Sequence, residues 1–384
     1  MNWAVILLIL ALAAMYVKDK TPRQAIFSVV IEMLKGLRLM RLPLPRIEAA
    51  IYGGAPIRRN YFYKKTRKDV SHFPILLNLP SSDGSGEVTH PDVLYVPDGW
   101  GKGEWSWLMS ATPYASGSDY FENPEFYVSH DGLLWTPPAE GINPLASLPA
   151  RTVQRGLKKE YHSDASLLLR DGTLNLYYRW SGILLDGSAE NRICVMTSDD
   201  GVSWSESVTI LEEKQPAAQS RKFLSPSVLF LNGEYVMWTV EYTDGKRSIT
   251  RRASADGLNW SDPAETPLSA GYSMLPPWHL DIVPSAETDD LILILTAAKD
   301  RGEDAELHYG FGNGHSWCMA GKLIEPGYFF ESGRVYRSSL VPRGENVYSL
   351  YYSAQSQDRI GSVARLDLSL EADRKFFIFG SGGN

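Results

Sequence analysis

Ser129-His130-Asp131-Gly132-Leu133-Leu134-Trp135 is the first of three copies of the pattern Ser-x-Asp-Gly-x-x-Trp, which returns at residues 198–204 and 254–260. A looser fourth copy occupies 311–317, with Asn313 and Gly314 in the Asp-Gly places. The four tryptophans are 69, 56 and 57 residues apart, the length of a four-stranded propeller blade with its loops. Asp-Gly supplies the left-handed or tight-turn backbone that a strand-to-strand hairpin needs. The Ser and Asp side chains can bond local backbone groups, and the Trp can pack between blades. The motif therefore predicts a structural turn between the third and fourth strands of each blade.

Upstream of each turn lies a second repeat, a short apolar strand followed by an aromatic-rich one. The pairs are 92–96 with 105–110, 166–169 with 174–179, 227–231 with 235–240, 281–283 with 291–296, and 339–341 with 348–352. That makes five units, so residues 71–384 are expected to fold as an all-β, five-bladed propeller. The fifth unit lacks the turn motif, and Phe376–Phe379 is the candidate for its last strand. The turn resembles the Asp-box of sialidase-like propellers, with one residue fewer between Asp and Trp. Asp-boxes lie away from active sites, so this resemblance carries no information about substrate.

Composition agrees with many short strands: 44% of residues are apolar, with 11 Trp, 20 Tyr, 13 Phe, 32 Gly and 23 Pro. A net charge of −7 argues against a general nucleic-acid binder. Cys194 and Cys318 are far apart and form no Cys-x-x-Cys unit, which excludes a disulfide framework or zinc knuckle.

The charge is unevenly placed. Between residues 18 and 68 there are thirteen Lys or Arg and three acids, leaving an acidic remainder. Residues 3–17 form an unbroken apolar run, about 22 Å long as a helix at ~1.5 Å per residue and so only marginal against a ~30 Å bilayer core. No Lys or Arg precedes it, as a secretory signal would require, and the positive charge after it favours retention on the cytoplasmic face. Residues 1–20 are therefore expected to be a membrane anchor. Residues 21–70 are expected to be a basic amphipathic helix, which either packs on the propeller or lies in the membrane interface, followed by a linker.

In a propeller, the starts of the innermost strands and the loops between second and third strands share one rim, where a site should gather. Those positions hold His90 and Asp92, His162 and Asp164, Ser225 and Ser227, Trp278, His279 and Asp281, and Arg337. The loops add Tyr114, Glu122, Asn123, Arg179, Trp180, Arg192 and Glu241. Carboxylates, imidazoles, arginines and aromatic faces on one funnel suit sugar chemistry, in which one group activates water, another protonates the leaving oxygen, and rings stack on pyranose faces. His90, Glu122, His162, Arg179, Trp180, Glu241, Trp278 and Arg337 are the candidate substrate-binding residues. Each also has a plainer reading, as a core histidine, a loop terminus, a blade-packing aromatic or an ion-pair partner.

The stretches His90-Pro-Asp-Val-Leu-Tyr-Val-Pro97, His162-Ser-Asp-Ala-Ser-Leu-Leu-Leu169 and Leu224-Ser-Pro-Ser-Val-Leu-Phe-Leu231 resemble the first strands of five-bladed propeller glycosidases, the superfamily of glycoside hydrolase family 43 and its relatives. The resemblance implies Asp92 as general base and Asp164 as the carboxylate that tunes the acid. The family's blade-three glutamate is replaced here by Ser225-Pro226-Ser227. Glu241, Asp281 and His279 are candidate substitutes, and the His279–Asp281 pair is favoured because a carboxylate raises the pKa of a neighbouring imidazole.

The expected function is glycoside hydrolysis on a polysaccharide or oligosaccharide, with inversion if the carboxyls stand about 6.5–9.5 Å apart. The alternative is a non-catalytic carbohydrate-binding or scaffold propeller tethered to a membrane polysaccharide-assembly system. No cofactor is expected and no metal-ligand spacing is present; a structural calcium on the axis is implied only by the resemblance.

Overall fold

A computed structural model describes residues 74–379, apart from 147–156, 216–221, 244, 287, 300–301 and 325. The expected anchor, amphipathic helix and most of the basic linker lie outside the described residues. Among those described, no helix is long and apolar enough to cross a membrane.

The described residues form five antiparallel sheets, the blades of a propeller, in chain order. Blade one comprises Val88–Trp100, Trp105–Pro113 and Glu125–Ser129; blade two, Leu157–Arg170, Thr173–Leu184, Ala189–Ser198 and Val208–Gln215. Blade three comprises Lys222–Leu231, Glu234–Thr243, Lys246–Ser254 and Ala264–Glu265. Blade four comprises Pro277–Pro284, Leu291–Ala297, Glu306–Gly312 and Trp317–Ile324, with Leu268–Ala270 added in parallel on its outer edge. Blade five comprises Arg334–Gly344, Val347–Gln355 and Gly361–Leu370.

Two details differ from the four-strand expectation. The fourth strand of blade one is reduced to a single bridge between Val128 and Thr136. In blade five, two short segments share the outer position: Phe376–Phe379 pairs with residues 367–370, and Ile75–Leu76 pairs with Arg365 and Ala364. Chain from before blade one thus completes the last blade and closes the ring, and the radial repetition leaves only short edges at the outside of the blades.

The repeated turn behaves as its residue types dictate. Gly132, Gly201 and Gly257 each donate a backbone N–H to the serine hydroxyl three residues earlier, all at 2.9 Å. Each aspartate then accepts from the two backbone N–H groups beyond the glycine. In the looser copy Asn313 does the same for His315 and Ser316. The glycines sit at φ between +72° and +83° with an aromatic residue of the preceding blade against them: Tyr351 on Gly132, Trp100 and Trp105 on Gly201, Tyr177 on Gly257, and Trp238 on Gly314. Hydrophobic clusters fill every inter-blade gap. Trp100, Leu108, Leu167 and Leu176 lie between blades one and two, and Leu340, Leu350, Ile292 and Ile294 between four and five.

A Cβ at position 132 would stand 2.6 Å from the Tyr351 hydroxyl oxygen on a backbone at φ +72°. Gly132→Ala should therefore lower stability by roughly 2 kcal/mol, read as a fall in the urea midpoint. Leu134→Ala, at the exposed tip of the same turn, should stay within about 0.5 kcal/mol of the parent.

Candidate active site

Every innermost strand carries a register irregularity where it enters the axis: between Thr89 and Asp92, between Ser163 and Ser166, opposite 238–240 in blade three, between Pro277 and His279, and between Val335 and Ser338. In the first three blades His90, Asp164 and Ser225 take left-handed backbone, at φ +52°, +54° and +48°. Such a conformation is strained for a residue with a Cβ and clusters at functional sites. His279 and Arg337 hold the corresponding places in blades four and five, so the upper level of the axis is His90, Asp164, Ser225, His279 and Arg337.

Two residues further along each strand is a second level, and it is closed by hydrogen bonds. Asp92 Oδ2 accepts from Leu167 N at 2.6 Å, Ser166 Oγ from Val228 N at 3.2 Å, and Ser227 Oγ from Ile282 N at 3.1 Å. Asp281 Oδ2 accepts from Leu340 N at 2.7 Å, and Ser339 Oγ from Val93 N at 3.0 Å. Each blade thus holds the next, all the way round. Asp92 and Asp281 belong to this ring and do not line the cavity above it, which corrects their placement on the funnel rim. Burial, opposed by Arg337, raises the Asp92 carboxyl to about 6, and burial together with Asp92 raises Asp281 to about 7.

The cavity encloses about 400 Å³ and is lined by His90, Tyr114, Asp119, Glu122, Tyr161, Arg179, Leu224, Tyr242, Trp278, His279, Arg334 and Tyr336. Asp164 lies at its floor, fully buried. Its Oδ2 receives Arg179 Nε at 2.9 Å, and its Oδ1 is 3.5 Å from His90 Nε2 and 3.3 Å from His279 Nδ1. Arg337, also fully buried, bridges the two levels, 3.9 Å from Asp164 and 3.8 Å from Asp92. Burial opposes the Asp164 charge, but the Arg179 guanidinium beside it holds the carboxyl well below its usual range. Burial lowers His90 well below the usual imidazole value and His279 to about 4, so both rings are neutral near pH 7. Glu122 is pushed well above the usual carboxyl value by burial, tempered by Arg179.

Six sequence candidates therefore line the cavity: His90, Tyr114, Glu122, Arg179, Trp278 and His279. Asp164 and Arg337 lie beneath it. Three others are engaged elsewhere. His162 and Trp180 both bond the Glu160 carboxylate, at 3.4 and 2.7 Å. Glu241 pairs with Arg252 at 2.5 Å and accepts from Thr250 at 2.8 Å. Asp119, Tyr161, Leu224, Tyr242, Arg334 and Tyr336 were not chosen on sequence grounds. Tyr161 and Tyr336 are chain neighbours of chosen residues, and strand alternation turns them toward the cavity where it turns His162 away.

His90, Asp164 and His279 each offer a ligand atom within 4.8 Å of the others, a grouping absent from the sequence-based expectations because one member comes from each of three blades. The hydrogen bonds explain why it suits a cation. Thr112 Oγ1 donates to Thr89 O at 3.4 Å, so it accepts from His90 Nδ1–H at 3.0 Å and leaves Nε2 bare. That bare nitrogen faces the carboxylate oxygen Oδ1, and neither atom has a hydrogen-bond partner. His279 Nδ1 meets Ser225 Oγ at 2.5 Å, and its Nε2 is also unpartnered. Two neutral imidazoles and one ionised carboxylate, each oriented by an outer partner, fit a divalent transition-metal ion.

No family model matches the chain. It is 26% identical over 329 aligned positions to the A type blood N-acetyl-alpha-D-galactosamine deacetylase of Flavonifractor plautii, covering 72% of this chain; the chain spans only 41% of that protein's length. A crystal structure of an N-acetylgalactosamine deacetylase from F. plautii, in complex with blood group B trisaccharide, superposes with a TM-score of 0.66 at 20% identity, covering 78% of this chain and 95% of that one. The GH43_1 enzyme of Xanthomonas citri complexed with xylose gives 0.52 at 12% identity, covering 78% and 92%. The chain is a five-bladed β-propeller whose structural neighbours include family 43 glycoside hydrolases.

The ring gives Asp92 a role that an amide can copy. Asp92→Asn keeps an oxygen acceptor for Leu167 N–H and should remain within about 1 kcal/mol of the parent. Asp92→Ala leaves that buried N–H unpaired and should lose about 2–3 kcal/mol, measured by denaturant unfolding.

Proposed function

We propose that this propeller is a carbohydrate-active hydrolase that removes the acyl group from an N-acylated amino sugar, with His90, Asp164 and His279 as ligands of a divalent cation. The observation that carries this is the bare His90 Nε2 facing the equally unpartnered Asp164 Oδ1 at 3.5 Å, an arrangement a cation satisfies. The similarity to an N-acetylgalactosamine deacetylase supports the substrate class. A divalent cation bound there would polarise the amide carbonyl and acidify a water molecule.

The chain's own residues supply the rest. Arg179 keeps Asp164 ionised, while Thr112 and Ser225 fix the two imidazoles. Glu122, in the cavity lining with an unpartnered Oε2, suits a group that takes a proton from water and returns it to the departing nitrogen. Trp278 offers the cavity an aromatic face for a pyranose ring.

Glycosidic cleavage is the second reading. It is supported by the likeness to family 43 structures and by two carboxyls, Asp119 and Glu122, in the cavity lining. Binding without turnover is the third. The apolar run at 3–17 and the basic stretch after it support placing the activity at a membrane surface.

Products separate the three readings. Incubated with glycans ending in N-acetylhexosamine, the full chain should release acetate, lose that activity on chelation and regain it with added divalent cation. Asp164→Ala should abolish calorimetric cation binding and cut acetate release at least about 100-fold. Reducing sugar released without acetate would favour the glycosidase, and glycan binding with neither product the binding module.

A further inference from the structure

Tyr336 lines the same cavity, and its ring lies against both imidazoles, with centroids 4.5 Å from His279 and 5.4 Å from His90. Tyr114, another lining tyrosine, is 6.4 Å from His90. The Tyr336 hydroxyl oxygen accepts a hydrogen bond from Trp278 Nε1 at 2.9 Å. An indole N–H can only donate, so the phenolic hydrogen is not used in that contact. No other polar partner for the hydroxyl is found among the described residues.

The ring is held on several sides. Arg334 stacks over it with the guanidinium carbon 4.2 Å from the centroid. Gly302, at φ +74°, backs the group so closely that a Cβ there would be 2.9 Å from Arg334 Nη1 and 3.1 Å from Tyr336 Cε2. A fixed phenol with a spare hydrogen, beside the two imidazoles, is a donor prepared before substrate arrives.

We infer that Tyr336 is a catalytic residue, donating its phenolic hydrogen bond to the carbonyl oxygen of the substrate's acyl group, and that Trp278 positions it. This rests on the deacylase reading. In the reaction, water oxygen bonds to the acyl carbon and gives a proton to Glu122, and the carbonyl π electrons move to oxygen, where the negative charge meets the Tyr336 O–H. On collapse the oxyanion's electron pair re-forms the carbonyl, the C–N bond breaks and the nitrogen takes the proton from Glu122. The products are a carboxylic acid and an amine, which exchange the remaining water proton to leave as carboxylate and ammonium. The indole N–H donated into the same hydroxyl polarises it and strengthens its donation.

The test uses the full chain and an N-acetylhexosamine labelled with ¹³C at the acetyl carbonyl. In the parent, the bound carbonyl resonance should move downfield of the free sugar. Tyr336→Phe should bring it back to near the free position, lower kcat by about 10²–10³-fold and leave KM and calorimetric cation binding within about threefold. Trp278→Phe should give a smaller downfield shift than the parent. A 3,5-difluorotyrosine at 336, with the ring retained and a more acidic hydroxyl, should shift the resonance further downfield and keeps the test open should the phenylalanine variant fail to fold. Equal carbonyl shifts and equal kcat in parent and Tyr336→Phe would overturn the role of Tyr336 while leaving the deacylase reading intact. A parent protein that neither binds nor deacetylates any N-acetylhexosamine would overturn both.

Discussion

Five strands meet on one axis, and at each level there is room for one side chain from each. Everything else in the molecule depends on what stands at those places. At the lower level, Asp92, Ser166, Ser227, Asp281 and Ser339 each take the backbone N–H of the next blade, so the innermost strands satisfy one another and the ring is locked. At the upper level, left-handed residues lift His90, Asp164 and Ser225 out of the regular pleat. The strain of that backbone is borne by the locked ring beneath it, and a site built on such a frame keeps its geometry without help from mobile loops.

Burying this much polarity demands compensation. Asp164 has Arg179 on one oxygen and Arg337 near the other, while burial keeps both histidines neutral. The floor of the cavity therefore presents one anion, two uncharged nitrogen ligands and two fixed guanidinium groups. An arginine on the axis also changes what the central channel can hold. Its guanidinium stands 3.8 Å from Asp92, between the two levels of the axis.

Much of the architecture was legible because the turn chemistry is local. Ser, Asp and Gly at fixed offsets make the same hydrogen bonds in every copy, and the tryptophan period counts the blades. The closure was less visible, since no pattern announces that residues 75–76 will complete a blade that ends 300 residues later. The site was legible by column. Stacking the blade starts His-Pro-Asp, Asp-Ala-Ser, Ser-Pro-Ser, His-Leu-Asp and Arg-Ser-Ser brings His90, Asp164 and His279 into one level. Motif spacing along the chain could not show this grouping, because its three members come from three blades. The resemblance to family 43 pointed to Asp92, but the irregularity in its strand hands the cavity to His90 and gives Asp92 to the ring. His162, Trp180 and Glu241 were misplaced for a related reason: polarity marks a residue as worth explaining, yet strand phase decides which face it serves, and Glu160 and Arg252 were waiting on the other side.

The most direct test of this account is an anomalous diffraction map from crystals of the protein grown with a divalent transition metal. The account predicts a single strong peak on the axis, about 2.0–2.2 Å from a nitrogen of His90, a nitrogen of His279 and an oxygen of Asp164. A map with no peak among these three residues, or with metal only at surface carboxylates, would contradict it.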